Sequence, residues 1–195
     1  MNNLYAGQMA HGGTWARILS GAIDLFTKTG SKGSTPKKRG RGSPRPASSR
    51  VESAGQAGST ATQELNPHNV KDLRLEYAPN RDSDPDAGEI VWTWVPYAEH
   101  DGRGKDRPVL VIARHGADRV YAVKLTSKDK DGERDFLPIG SGPWDSQGRE
   151  SWLDVDQLYS VHRDGMRREA AALDLDRFTQ VAYALQRRFG WKAGS

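Results

Sequence analysis

A chain of 195 residues without cysteine has no disulfide, thiol nucleophile or thiolate metal site, and its length suits one ordinary core with sequence to spare. The net charge is +4, yet residues 1–64 hold nine Lys/Arg against three Asp/Glu, whereas residues 65–195 hold twenty against twenty-two. The basic surplus therefore belongs to the N-terminal part, and it does not make the remainder a nucleic-acid binder. His11, His68, His100, His115 and His162 show no ligand spacing, so neither a metal site nor a cofactor is expected. No apolar run approaches the roughly 18 residues of a spanning helix. The N-terminus has neither the charged start nor the apolar block of a secretory signal, and the cytoplasm is the expected compartment.

Thr14 can cap a helix reaching Phe26, with Trp15, Ile18, Leu19, Ala22, Ile23 and Phe26 on one stripe. The stripe suits packing on protein. A membrane-surface anchor is the less favoured alternative, because only Arg17 and Lys28 supply cations there. Gly30 to Thr62 is built from Ser, Gly, Pro, Ala, Lys and Arg and has too few large apolar side chains to offset the entropy of ordering. It reads as a flexible, non-specific electrostatic arm. Asn66 to Tyr77 has room for a short element using Val70, Leu73 and Leu75, and the acidic, turn-rich stretch 79–87 leads to a boundary at Gly88. The expected organisation is a helical segment at 1–29, a linker, basic then acidic, at 30–86, and a folded domain at 87–192. Deleting residues 1–64 is then expected to leave that domain folded.

Inside the domain, Glu89 to Val95, Pro108 to Ala113 and Arg119 to Leu125 read as strands, the second buried on both faces. In the third, Val120, Ala122 and Lys124 share one face and Tyr121, Val123 and Leu125 the other. Short strands follow at Phe136 to Ile139, Ser151 to Val155 and Leu158 to Arg163. A closing helix has Asp174 or Asp176 as cap, Leu175, Phe178, Val181, Ala182, Leu185 and Phe189 as stripe, and Gly190 as stop. The fold class is α+β, mainly β: a small barrel with a C-terminal helix, preceded by a tail with one N-terminal helix.

Arg107 begins one strand and Thr126 ends the next, so antiparallel pairing brings a guanidinium and a hydroxyl together beside the Glu99, His100, Asp101 loop. That set suits a phosphate ester. The plainer alternative makes Arg107 the ion-pair partner of Asp106 or another acid, Thr126 a turn residue and the loop merely solvated. Ser127, Lys105 and Lys128 are further substrate-binding candidates. Trp144, in the polar run Trp-Asp-Ser-Gln-Gly-Arg, could stack on a base but more readily covers a core edge.

Gly88-Glu89-Ile90-Val91-Trp92, Arg107-Pro108-Val109-Leu110-Val111-Ile112, Leu125-Thr126-Ser127 and Ser151-Trp152-Leu153-Asp154-Val155-Asp156-Gln157-Leu158, in this order, resemble the PemK/MazF family of toxin endoribonucleases. VWTWVPY with GKDRPVLVI is similar to its actinobacterial members. The resemblance implies an SH3-like barrel, cleavage of RNA without a metal, and catalysis by Arg107 and Thr126 with an acid or His of the loop before Arg-Pro. It implies a homodimer and a cognate antitoxin as partners. Some members carry Arg-x-Asp-Gln on the late strand; here Asp156 matches and the Arg does not. The expected function is sequence-selective cleavage of single-stranded RNA to a 2′,3′-cyclic phosphate and a 5′-hydroxyl. The alternative is a barrel that binds nucleic acid, DNA included, or protein without catalysis.

Overall fold

The computed structural model describes residues 53–80 and 84–194, the side chains of 168–170 excepted. The expected helix at 14–26 and the densest part of the basic arm lie outside the described residues. The strands are β1 (Gln63–Leu65), β2 (Arg74–Leu75), β3 (Glu89–Pro96), β4 (Gly104–Arg114), β5 (Arg119–Thr126), β6 (Phe136–Gly140), β7 (Ser151–Asp154), β8 (Leu158–His162) and β9 (Met166–Ala172), followed by helix α1 (Leu175–Phe189) and β10 (Lys192–Ala193). The main sheet runs β1-β8-β5-β4-β3-β9, with β7 joined to β5 and β6 to β7. The mainly β architecture closed by one helix is the expected one. Its sheet is a curled half-barrel with β1 and β9 at its edges.

Alternation along the central strands explains why they read as almost unbroken apolar runs, since both faces are buried. On one face lie Val91, Val95, Val109, Val111, Val120, Ala122, Tyr159 and Val161. On the other, Ile90, Leu110, Ile112, Val123, Leu125 and Leu153 join Phe178, Val181 and Leu185 of α1. Asp174 caps that helix by accepting from the Arg177 backbone N–H, and Gly190 ends it at φ 74°, a left-handed conformation that glycine adopts without penalty.

Two stretches assigned to the linker belong to the fold. Leu73 and Leu75 are buried in the core, and β2 pairs in parallel with β10, so the chain after α1 returns to hold them. Trp191 adds an indole hydrogen bond of 2.9 Å to the Val70 carbonyl. Burying two leucines, at about 2 kcal/mol each, offsets ordering that the local composition does not favour. Residues 53–65 are held instead by polar contacts. Thr62 N–H bonds the Gly55 carbonyl at 2.8 Å, and β1 pairs with β8 from Gln63↔Ser160 to Leu65↔Leu158. Arg119 donates to the carbonyls of Ser59 (3.2 Å) and Ala61 (2.6 Å). Gly165 lies so close that a β-carbon there would meet the Thr60 carbonyl oxygen at 2.4 Å.

β9 has no counterpart in the reading of the sequence. Met-Arg-Arg-Glu-Ala-Ala-Ala favours helix locally, and it is a strand because β3 offers it an edge, Glu89↔Ala172 to Thr93↔Met166.

Candidate active site

Antiparallel pairing brings Arg107 to Thr126. The β4–β5 ladder runs to Val109↔Lys124, and two residues further along each strand stand Arg107 and Thr126. There β4 stays paired with β3 through Thr93↔Arg107, and β5 pairs with β7 through Thr126↔Trp152. A cleft of about 290 Å³ opens at this point, walled by Lys105, Arg107, Thr126, Ser127 and Lys128 with Trp92, Trp144, Asp145, Arg149 and Ser151. On the other side of Arg107 a second recess of about 330 Å³ is lined by Tyr97, Glu99, Arg107, Lys124 and Gln157.

The charges are not balanced. Asp106, the neighbour that could have neutralised Arg107, pairs instead with Arg167 at 2.9 Å. Asp145 takes Arg149 at 2.8 Å; that bond and one from the Gln147 N–H hold its carboxyl below the usual range. Lys105, Arg107 and Lys128 are left without a carboxylate partner among the described residues. Thr126 Oγ1 accepts from the Lys128 N–H at 3.2 Å, so its own hydrogen remains free to donate.

Behind Arg107 lies a polar floor. Lys124 Nζ donates to Gln157 Oε1 at 2.6 Å and pairs with the buried Asp154 at 3.2 Å. Tyr159 donates to the same Gln157 oxygen at 2.6 Å. Burial raises the phenol, Glu64 and Asp154 push the same way, and Arg107 opposes them, so Tyr159 stays a donor. Lys124 was visible in the sequence as the lone cation on an apolar strand face. Gln157 and Trp92 stood in the sequence only as members of the motifs that carry the resemblance, and Arg149 gave no such sign; among the described residues the buried indole N–H of Trp92 has no hydrogen-bond partner.

The loop before Arg-Pro separates its three candidates. Glu99 lines the recess beside Arg107. His100 faces Glu64, with Nε2 3.9 Å from Oε2. Asp101 is spent within the loop, bonding the Arg103 N–H at 3.0 Å and its Nε at 2.6 Å. Two further candidates stand apart from this loop. Asp156 lies in neither recess, because Arg188 of α1 draws its carboxylate outward to 2.7 Å. Trp144 is only 3 % exposed and its indole N–H bonds Ser151 Oγ at 3.0 Å, so it packs as cleft wall and offers no open face for stacking.

Residues 86–189 match the family described as PemK-like, MazF-like toxin of type II toxin-antitoxin system. The chain belongs to this family. No curated protein matches it. Among solved structures, the PemK/MazF-family chain is similar to MazF (Form-I) from Deinococcus radiodurans, with 24 % identity and a TM-score of 0.42 over 54 % of this chain and 96 % of that one. It is similar to the MazE-MazF complex (Form-II) from the same organism, with 20 % identity and a TM-score of 0.42 over 54 % and 96 %. A mycobacterial endoribonuclease in complex with its cognate antitoxin shows 16 % identity and a TM-score of 0.42 over 55 % and 96 %. Among the described residues no helix is long and apolar enough to cross a membrane.

Proposed function

We propose that the protein is a sequence-selective endoribonuclease that cleaves single-stranded RNA without a metal. The observation that carries this is Arg107: a half-buried guanidinium in the wall of two adjoining recesses, across from Thr126 and without a carboxylate partner among the described residues. An unpaired guanidinium in a partly desolvated wall attracts a phosphate strongly, and its fork holds two non-bridging oxygens as their charge redistributes. Thr126 donates to one of them and fixes the phosphorus in line. Glu99 takes the 2′-hydroxyl proton as O2′ bonds to phosphorus. The P–O5′ bond breaks and the departing oxygen takes a proton from water, leaving a 2′,3′-cyclic phosphate and a 5′-hydroxyl. Lys105 and Lys128 hold flanking phosphates.

Membership in a toxin-antitoxin family supports a cytoplasmic, dimeric toxin whose cleft a cognate antitoxin covers. The MazE-MazF complex from Deinococcus radiodurans and the mycobacterial endoribonuclease bound to its cognate antitoxin are examples of such pairing. Incubation of purified protein with single-stranded RNA in EDTA tests the reading. Arg107→Ala should lower the cleavage rate by about 10²- to 10³-fold. Equal rates for the two proteins would refute it, and RNA binding without any cleavage would favour a binding module.

A further inference from the structure

The family match begins at residue 86, but β1, which precedes it, is fixed on the sheet close to the site. Two sets of contacts set its position. Arg119 donates to Ser59 O, Ala61 O, Ser160 O and Ser160 Oγ, clasping the incoming chain to β8. Thr62 Oγ1 lies 2.8 Å from Thr93 Oγ1, which also donates to the Gly165 carbonyl at 2.7 Å. With the register so determined, Glu64 stands opposite Tyr159, the residue whose phenol senses Glu64, Asp154 and Arg107 together.

Among the described residues the buried Glu64 Oε2 has no hydrogen-bond partner, and the group it faces is His100 Nε2 at 3.9 Å. A buried carboxylate oxygen without a donor is costly, and a small rotation of the imidazole would supply one. His100 adjoins Glu99, which lines the Arg107 recess, and it holds a left-handed backbone conformation at φ 49° with its N–H bonded to the Tyr97 carbonyl at 3.0 Å. Asp101, next to His100 in the chain, is already tied to Arg103.

We infer that Glu64 is a positioning residue for the proposed RNA cleavage: from β1 it holds His100, and through His100 it holds the loop that presents Glu99 to the recess beside Arg107. The inference rests on the reading of the site as a ribonuclease. The His100 side chain is 64 % exposed and that of Glu64 24 %, so solvent screens the pair and its effect on the loop is modest.

Steady-state cleavage of one RNA oligonucleotide by the full chain, Glu64→Gln, His100→Asn and the double variant tests it. Each single substitution should lower kcat about two- to five-fold with KM unchanged, and the double variant should fall no further than either single. His100→Asn lies in an exposed loop and suits the left-handed backbone, so it keeps the test sound if Glu64→Gln disturbs β1. Multiplying losses in the double variant, a change in KM alone, or single variants as active as the unmodified protein would overturn the inference. If the unmodified protein cleaves no RNA, the ribonuclease reading itself fails and this role falls with it.

Discussion

Arg107 and Thr126 act in this account as a pair with distinct tasks, one supplying fixed charge and the other a directed hydrogen bond. Replacing Thr126 by Val keeps the shape and removes only the hydroxyl. Single-turnover cleavage should slow by about 10²-fold, with RNA binding and melting temperature little changed; an unaltered rate would remove Thr126 from the chemistry. Their juxtaposition was legible because antiparallel strand ends place them together, whereas their catalytic role was suggested only once the family resemblance was added. The contacts of Glu64 and Gln157 were not legible. Their relevance comes from pairing with Tyr159 and Lys124 across 95 and 33 positions of chain, which local pattern does not encode.

At the scale of elements, the β4–β5 turn carries a pH dependence. His115 stacks on Tyr121 at 4.1 Å and its Nδ1 lies 2.8 Å from Ser160 Oγ. Burial, with the Arg119 charge adding to it, holds the imidazole below its usual value of 6.5. The unfolded chain therefore takes up a proton at a pH where the folded chain does not. The contribution of His115 is complete above about pH 6.5 and is lost as the pH falls from there toward the folded value. Urea midpoints at about pH 7.5 and about pH 5.5 should differ more for the native chain than for His115→Gln; equal differences would contradict this. The strands β3, β4 and β5 and helix α1 were readable because their apolar periods are long and their caps explicit. β9 was not, since its composition favours helix and only the edge of β3 makes it a strand.

The whole molecule is larger than the family match. Composition separates a basic, small-residue N-terminal stretch from the core, but it cannot show that 53–65 are ordered by Arg119, paired threonines and close glycines, or that Leu73 and Leu75 are clasped by β10. Deleting residues 1–64 removes most of β1 and the Arg119 clasp, so it is expected to cost stability that composition alone does not suggest. A chain beginning at residue 66 should melt about 10 °C below one beginning at residue 53, corresponding to a loss of about 3 kcal/mol. Equal melting temperatures would make 53–65 an appendage. The basic residues ahead of 53 are expected to contribute salt-dependent affinity for RNA without altering sequence preference.

In the proposed reaction the cleft directs an in-line attack by a 2′-oxygen on phosphorus. The most direct measurement uses one oligoribonucleotide, in EDTA, with and without a single 2′-deoxy sugar on the 5′ side of the cut bond. The all-ribose strand should yield a 2′,3′-cyclic phosphate and a 5′-hydroxyl, and the substituted bond should stay intact. Cleavage of the deoxy-substituted bond, or a product with a 5′-phosphate, would contradict it.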